Sequence, residues 1–177
     1  RLKLHNLDNM RVFLPSGKAY HFELDAFAGH RLHFDGYLCD KAIHAGADIQ
    51  MDEAMTRIQH QRKSNRDVLV TTKGRYTFDF LIDASGSLAH VGRLRHGDDE
   101  RYRPKDQVPT MYAQVQGDVP ETFDVFLGSV APSGYAWIIP KGPNTANVGL
   151  GVRAGYLKGN LKEHLQAFCD ELGFEVL

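Results

Sequence analysis

Long apolar runs are missing from this chain: no stretch of about eighteen consecutive apolar residues occurs, so no transmembrane helix is expected. Net charge is missing too. Lys+Arg 21 against Asp+Glu 22 leaves a formal balance of −1, which removes the electrostatic footprint of a nucleic-acid partner. Cysteine is scarce. Cys39 and Cys169 each fall within an expected helix and read as buried free thiols of a reducing compartment, not as a disulfide framework. Histidine is plentiful, but none of the nine has a ligand spacing backed by Cys or clustered carboxylates. His30-x-x-His33 comes nearest, and no metal site is expected. No secretory leader is expected, and Arg1 stands first with no Met, so a piece of a longer product or a processed chain is expected. Absent as well is a Gly-x-Gly-x-x-Gly turn opening a helix after a buried strand, the cradle in which a helix N-terminus meets a pyrophosphate.

The composition that remains, 42% apolar and 24% charged over 177 residues, is enough for one core or a two-lobed chain. The most informative stretch is 134–151. Residues 135–139 are aromatic and β-branched and predict a strand, 141–145 hold the turn residues, and 146–152 predict the returning strand. The product is an antiparallel hairpin with a loop of about five residues. Tyr135 and Trp137, the chain's one tryptophan, alternate and share a face. Gly149 and Gly151 mark close approach by a ligand or by backbone. An ordinary core strand is the alternative that these residues leave open.

In chain order, residues 11–14 and 19–24 predict a hairpin about Pro15-Ser16-Gly17-Lys18, followed by a link at 25–29 with no period. The helical spacing of Leu38, Ala42, Ile43 and Ala45 predicts a helix over 30–46, with Asp35 as N-cap and Gly46 as left-handed stop. A strand over 47–51 would complete half of a βαβ unit. Residues 56–61, 67–72 and 76–82 predict a three-stranded meander with turns at 63–66 and Lys73-Gly74. A charged linker follows over 94–107. Strands at 110–116 and 123–127 join the 134–151 hairpin in an antiparallel sheet of at least four strands. Leu161, Leu165, Phe168 and Leu172 form the apolar stripe of a helix over 160–172, ended by Gly173.

Tyr135-x-Trp137-x-Ile139-Pro140, eight residues, then Gly149-x-Gly151 is similar to the signature of the geranylgeranyl reductase family of flavoproteins. Ile139 stands where that family usually has Phe, and Pro132-Ser133-Gly134 resembles its Pro-Gly-Gly lead-in. Arg31-x-x-Phe34-Asp35 with Leu38, Ala42 and Gly46-Ala47-Asp48-Ile49 resembles the family's Arg-x-x-Phe-Asp helix. The segment 82–87 resembles its Ala-Asp-Gly-x-x-Ser loop, with Ser85 for Asp and Ala89 for the later Ser, and Val91-Gly92-Arg93 continues the likeness.

The resemblance implies an α+β / α/β fragment of a two-lobed flavoprotein, part of a Rossmann-like FAD domain plus an antiparallel-sheet substrate domain. Residues 1–29 would be a substrate-domain hairpin, 30–97 the partial FAD-binding domain with its meander, and 98–177 the substrate domain with its C-terminal helix. It implies an FAD-dependent reductase that hydrogenates carbon–carbon double bonds of geranylgeranyl chains in lipids or pigment precursors, the fragment alone being inactive. Arg31 would reach the FAD and Met55 would meet its adenine half through main chain. Tyr135, Trp137, Ile139, Pro140, Gly149 and Gly151 would line the isoprenoid cavity. No catalytic acid or base stands out. The electron donor would be NAD(P)H or ferredoxin, in a cytoplasmic protein for which peripheral membrane contact stays open. The alternatives are a fragment of a monooxygenase, a halogenase or an electron-transfer-flavoprotein-linked dehydrogenase, and a non-enzymatic αβ module that binds an apolar ligand or partner.

Overall fold

A computed structural model describes residues 3–61, 66–86 and 107–177. Two compact units divide the chain, Arg1–Lys41 with Pro104–Leu177, and Ala42–Arg103. The turn at 63–66 lies mostly, and Ala89, Val91-Gly92-Arg93 and nearly all of the 94–107 linker lie wholly, outside the described residues.

The first unit begins with a hairpin of β1 (Leu4–Phe13) and β2 (Ala19–Gly29). Its turn closes where the Gly17 N–H donates to the Leu14 carbonyl at 3.0 Å. The segment 25–29, expected as a link, is strand. Its side chains have no period, but its backbone pairs from Leu4↔Gly29 to Leu7↔Ala26, across a register shift between Leu7 and Asn9. Hydrogen bonding, not side-chain pattern, extends this strand.

Strands β6 (Thr110–Gln116), β7 (Phe123–Phe126), β8 (Tyr135–Gly142), β9 (Thr145–Gly151) and β10 (Glu175–Val176) complete a seven-stranded sheet in the order β10-β6-β9-β8-β7-β1-β2. The four strands expected to be antiparallel are so, in the order β6-β9-β8-β7, and the sheet becomes mixed where β1 lies parallel to β7 from Met10↔Phe123 to Phe13↔Phe126. The β8–β9 connection is tighter than the five-residue loop expected. The strands stay paired to Gly142↔Thr145, with a register shift between Pro140 and Gly142.

Alternation decides which face is core. Ala136, Ile138 and Pro140 of β8, Ala146, Val148 and Leu150 of β9, and Val115 of β6 point to one side and are almost fully buried. Over them lies α2 (Leu161–Glu171), burying Leu165, Phe168 and Cys169. The Asn160 side chain caps this helix, accepting the Glu163 N–H at 2.9 Å. Rings continue the core outward: Phe126 meets Phe168 edge-on at 5.3 Å and stacks on Phe13 at 4.7 Å.

In the second unit β3 (Met55–Gln61), β4 (Arg66–Thr71) and β5 (Arg75–Phe78) form the expected antiparallel meander. β5 ends at Phe78, short of residue 82, because its pairing with β4 ends at Asp67↔Phe78. Beyond it Phe80 and Ile82 are 92% and 87% exposed. The helix α1 (Arg31–His44) runs through the division at Lys41/Ala42, and none of its residues is buried. Cys39, expected to be buried, is accordingly half-buried. Asp35 is not the N-cap, since it lies one turn inside α1. Gly46, at φ +95°, does end the helix, with the Ala47 N–H returning to the Ala42 carbonyl at 3.0 Å. The strand expected over 47–51 is not formed: an extended segment becomes strand only with a neighbour to pair, and no described residue pairs with it. Among the described residues no helix is long and apolar enough to cross a membrane.

Candidate functional site

The sheet face of the first unit that points away from α2 carries the candidate site. Cross-strand partners share a face, so the pairings Tyr135↔Gly151, Trp137↔Gly149 and Ile139↔Asn147 place these six together. Tyr112 joins them through Gly149 and Val125 through Trp137. Tyr112 is 61% exposed and Tyr135 49%, although both are flanked by apolar side chains. The Tyr135 and Trp137 rings lie 5.7 Å apart at a tilt of 52°. Pro140 does not belong to this group, because it faces the opposite side and is fully buried beneath α2's layer.

The close approach expected at Gly149 and Gly151, by a ligand or by backbone, is made by side chains of the chain itself. A Cβ on Gly149 would stand 2.3 Å from Trp137 Cζ2 and 2.6 Å from Cε2, so the indole itself fills the space. Trp137 Nε1–H donates to Asn147 Oδ1 at 2.8 Å. A Cβ on Gly151 would stand 2.8 Å from Thr110 Cγ2. The lead-in is equally close-fitting: a Cβ on Gly134 would lie 1.9 Å from the Gly151 carbonyl oxygen, and Ser133 is held at φ +56°, where glycine is the unstrained residue.

The two candidate cofactor residues belong to different units. Arg31 opens α1 with its side chain 84% exposed, and its Nε donates to both Asp35 oxygens, at 3.0 and 2.8 Å. An exposed pair one helical turn apart contributes only about 0.3–0.5 kcal/mol, so a stronger anion displaces it at little cost. Met55 is the first residue of β3 and half-buried. Within the loop likened to Asp-Gly, Ser85 donates to Asp83 Oδ1 through its N–H at 3.0 Å and its hydroxyl at 2.5 Å, closing a local turn. Among the described residues no group of three or more His, Cys, Asp or Glu is placed to hold a metal ion.

Sequence reasoning passed over four features. Asp124 is 1% exposed and accepts Arg11 Nε at 2.8 Å, Arg11 Nη2 at 2.5 Å and Thr122 Oγ1 at 2.7 Å. The Asp124 hydrogen bond raises the Arg11 pKa. One signal was present, a carboxylate inside the apolar run Phe123-Asp124-Val125-Phe126. Lys141, read as a turn residue, is half-buried in the β8 irregularity and donates to the Gly29 carbonyl at 2.8 Å, and burial lowers its pKa. Glu53 gathers Tyr76 Oη at 2.9 and 3.1 Å together with the Thr71 hydroxyl, and that hydrogen bond raises the Tyr76 pKa. Asn147 had no signal beyond being a polar residue in a strand.

Residues 108–175 match the family model described as the geranylgeranyl reductase catalytic domain. The chain is 35% identical over 153 residues to digeranylgeranylglycerophospholipid reductase 2 of Methanothermobacter thermautotrophicus, a match that covers 82% of this chain and 39% of that protein. The chain thus spans well under half the length of this curated relative. Among solved structures, a geranylgeranyl bacteriochlorophyll reductase-like protein of Thermoplasma acidophilum has a TM-score of 0.83 at 22% identity, covering 98% of this chain and 48% of that one. A flavin-dependent halogenase, CmlS, has a TM-score of 0.68 at 18% identity over 99% of this chain and 36% of that one. Both likenesses establish the fold alone.

Proposed function

We propose, for a chain that belongs to the geranylgeranyl reductase family, that its parent is an FAD-dependent reductase hydrogenating carbon–carbon double bonds of geranylgeranyl chains in lipids or pigment precursors. The observation that carries this reading is the aromatic face of β6, β8 and β9, where Tyr112 and Trp137 pair with Gly149, Tyr135 with Gly151, and Ile139 with Asn147. Rings and aliphatics along one exposed wall suit a long, branched, apolar chain, and soluble proteins keep such patches for binding. Residues 1–29 and 98–177 then form the substrate lobe and 30–97 a part of the cofactor lobe. The exposed Leu32, Leu38 and Ile43 of α1 support a larger parent, because a helix with no fully buried residue draws little packing energy.

Toward FAD the residues present fit in part. Arg31 offers an exposed guanidinium, matched in charge and fork geometry to a phosphate, and Met55 offers main chain, while the glycine-rich cradle is not in this sequence. When bound, reduced flavin supplies the hydride. The chain's own residues supply position, an apolar wall and exclusion of water. NAD(P)H or a ferredoxin reduces the flavin, and the lipid substrate brings the protein to the membrane periphery.

The experiment loads the full-length parent with FAD and follows a geranylgeranyl lipid by mass. Wild type is expected to add two hydrogens per reduced bond. Arg31→Ala is expected to lose flavin at least about tenfold more readily, the worth of one charge-assisted hydrogen bond, at an unchanged melting temperature. A parent that leaves the geranylgeranyl chain untouched while hydroxylating or halogenating an aromatic substrate overturns the reading.

A further inference from the structure

We infer that Asn147 is a positioning residue: it pins the Trp137 indole over Gly149, so that one wall of the isoprenoid slot is rigid before the chain enters. The inference rests on the reading of this face as that slot. Tryptophan on an open sheet face ordinarily chooses among several staggered rotamers. Here the ring is held from three sides. Gly149 offers no Cβ where Cζ2 and Cε2 lie, so the benzo edge settles against the β9 backbone, which a Cβ at 2.3 Å would forbid. Tyr135 flanks it with centroids 5.7 Å apart. Asn147, directly opposite Ile139, accepts the Nε1–H at 2.8 Å. An indole N–H only donates, so the amide must present its oxygen, and one orientation of each group satisfies the pair.

Glycine supplies the space and asparagine the direction, and neither alone fixes the ring. A wall fixed in advance does not have to be ordered when substrate binds, and it does not yield to a chain of the wrong length. Asn147 therefore sets chain selectivity through Trp137, without needing to touch the substrate.

Trp137 is the only tryptophan, so the 177-residue chain reports on this ring without a label. Time-resolved fluorescence anisotropy reads ring motion, and quenching by geranylgeraniol and by the shorter farnesol reads chain preference. Wild type and N147D, which keeps an acceptor oxygen, are expected to show a ring that turns only with the whole molecule. In N147L a fast component is expected to appear and the preference for geranylgeraniol over farnesol to fall roughly three- to tenfold, what one hydrogen bond supports. Asn147→Ser, too short to reach Nε1, carries the same expectation if N147L fails to fold. An N147L ring as still as wild type overturns the pinning. A mobile ring with unchanged preference overturns the role in selectivity. A wild-type chain quenched by neither alcohol overturns the slot reading and with it the selectivity, while the anisotropy of the variants still shows whether Asn147 holds the ring.

Discussion

The two units are built on opposite economies of burial. In the first, thirteen buried side chains form one cluster between the sheet and α2, from Val115 to Phe174. In the second, Val68 is the only buried hydrophobic among the described residues. Stabilisation by burial scales with apolar area, and a three-stranded meander that buries one hydrophobic side chain among its described residues gains little from it. The second unit holds instead by polar ties at its surface. Glu53 binds Tyr76 and Thr71, the Gly74 N–H donates to Thr71 Oγ1 at 2.8 Å, and Lys73 Nζ reaches the Met51 carbonyl at 2.8 Å. The difference teaches where each unit's order comes from: the first carries its own core, and the second, among its described residues, rests on strand pairing and side-chain hydrogen bonds.

The strongest test of this contrast is Asp124→Ala. The carboxylate is buried and its Arg11 partner is 31% exposed, so the loss is expected at the low end for breaking a buried pair, about 3 kcal/mol. Urea unfolding followed by Trp137 emission measures it within the first unit. A loss under about 1 kcal/mol would rank the pair with ordinary surface bridges and weaken the contrast. The pair also gives this unit no alkaline weakness. Hydrogen bonding to Asp124 raises the Arg11 pKa above its ordinary value, so the pair's contribution holds through the whole neutral and moderately alkaline range and is lost only at strongly alkaline pH.

A smaller effect, of opposite sign, is expected for Ser133→Gly. Release from φ +56° outweighs the added freedom of the unfolded glycine, for a net gain of about 0.5–1 kcal/mol on the same urea curve. A loss of stability would show that the Ser133 side chain holds the turn by contacts that outweigh its strain.

The smallest effect belongs to the second unit and depends on pH. Hydrogen bonding to Glu53 raises the Tyr76 phenol above 10.0 in the folded chain, so its contribution is complete below pH 10.0 and fades as pH climbs through the folded value. Peptide-resolved hydrogen exchange over 66–78, corrected for intrinsic rates, is expected to lose protection in that window in wild type. Tyr76→Phe is expected to show a lower protection that does not change there. Equal alkaline loss in both units would break the comparison.

Much of this architecture was legible along the chain. The Pro15 to Lys18 turn, the helix ended by Gly46, the meander, and the apolar stripe from Leu161 to Leu172 each follow from residues within a few positions of one another. The candidate wall was legible in the same way, because Tyr135 and Trp137 must share a face of any strand that holds both. Two failures were local, the Asp35 cap and the five-residue loop, and two were not. Residues 25–29 have no pattern of their own and became strand because β1 lay beside them, whereas 47–51 have an apolar pattern and pair with no strand among the described residues.

By itself, then, the sequence determined much of the local vocabulary of this protein: the Pro15 to Lys18 turn, the Gly46 stop, the alternation along the 134–151 hairpin, and the family signature that these residues spell. The tertiary structure decided which of two alternating faces would be covered. Alternation divides Tyr135, Trp137 and Ile139 from Ala136, Ile138 and Pro140, but only the seating of α2 makes the second set core and leaves the first as a wall. It also decided the contacts between distant positions. Arg11 and Asp124 meet across 113 positions because β1 lies parallel to β7, and Trp137 occupies the space of Gly149 because β8 and β9 pair in one register. The physical reason is range: dihedral preferences and capping bonds act over a few residues, while burial and pairing depend on which surfaces the folded chain brings together.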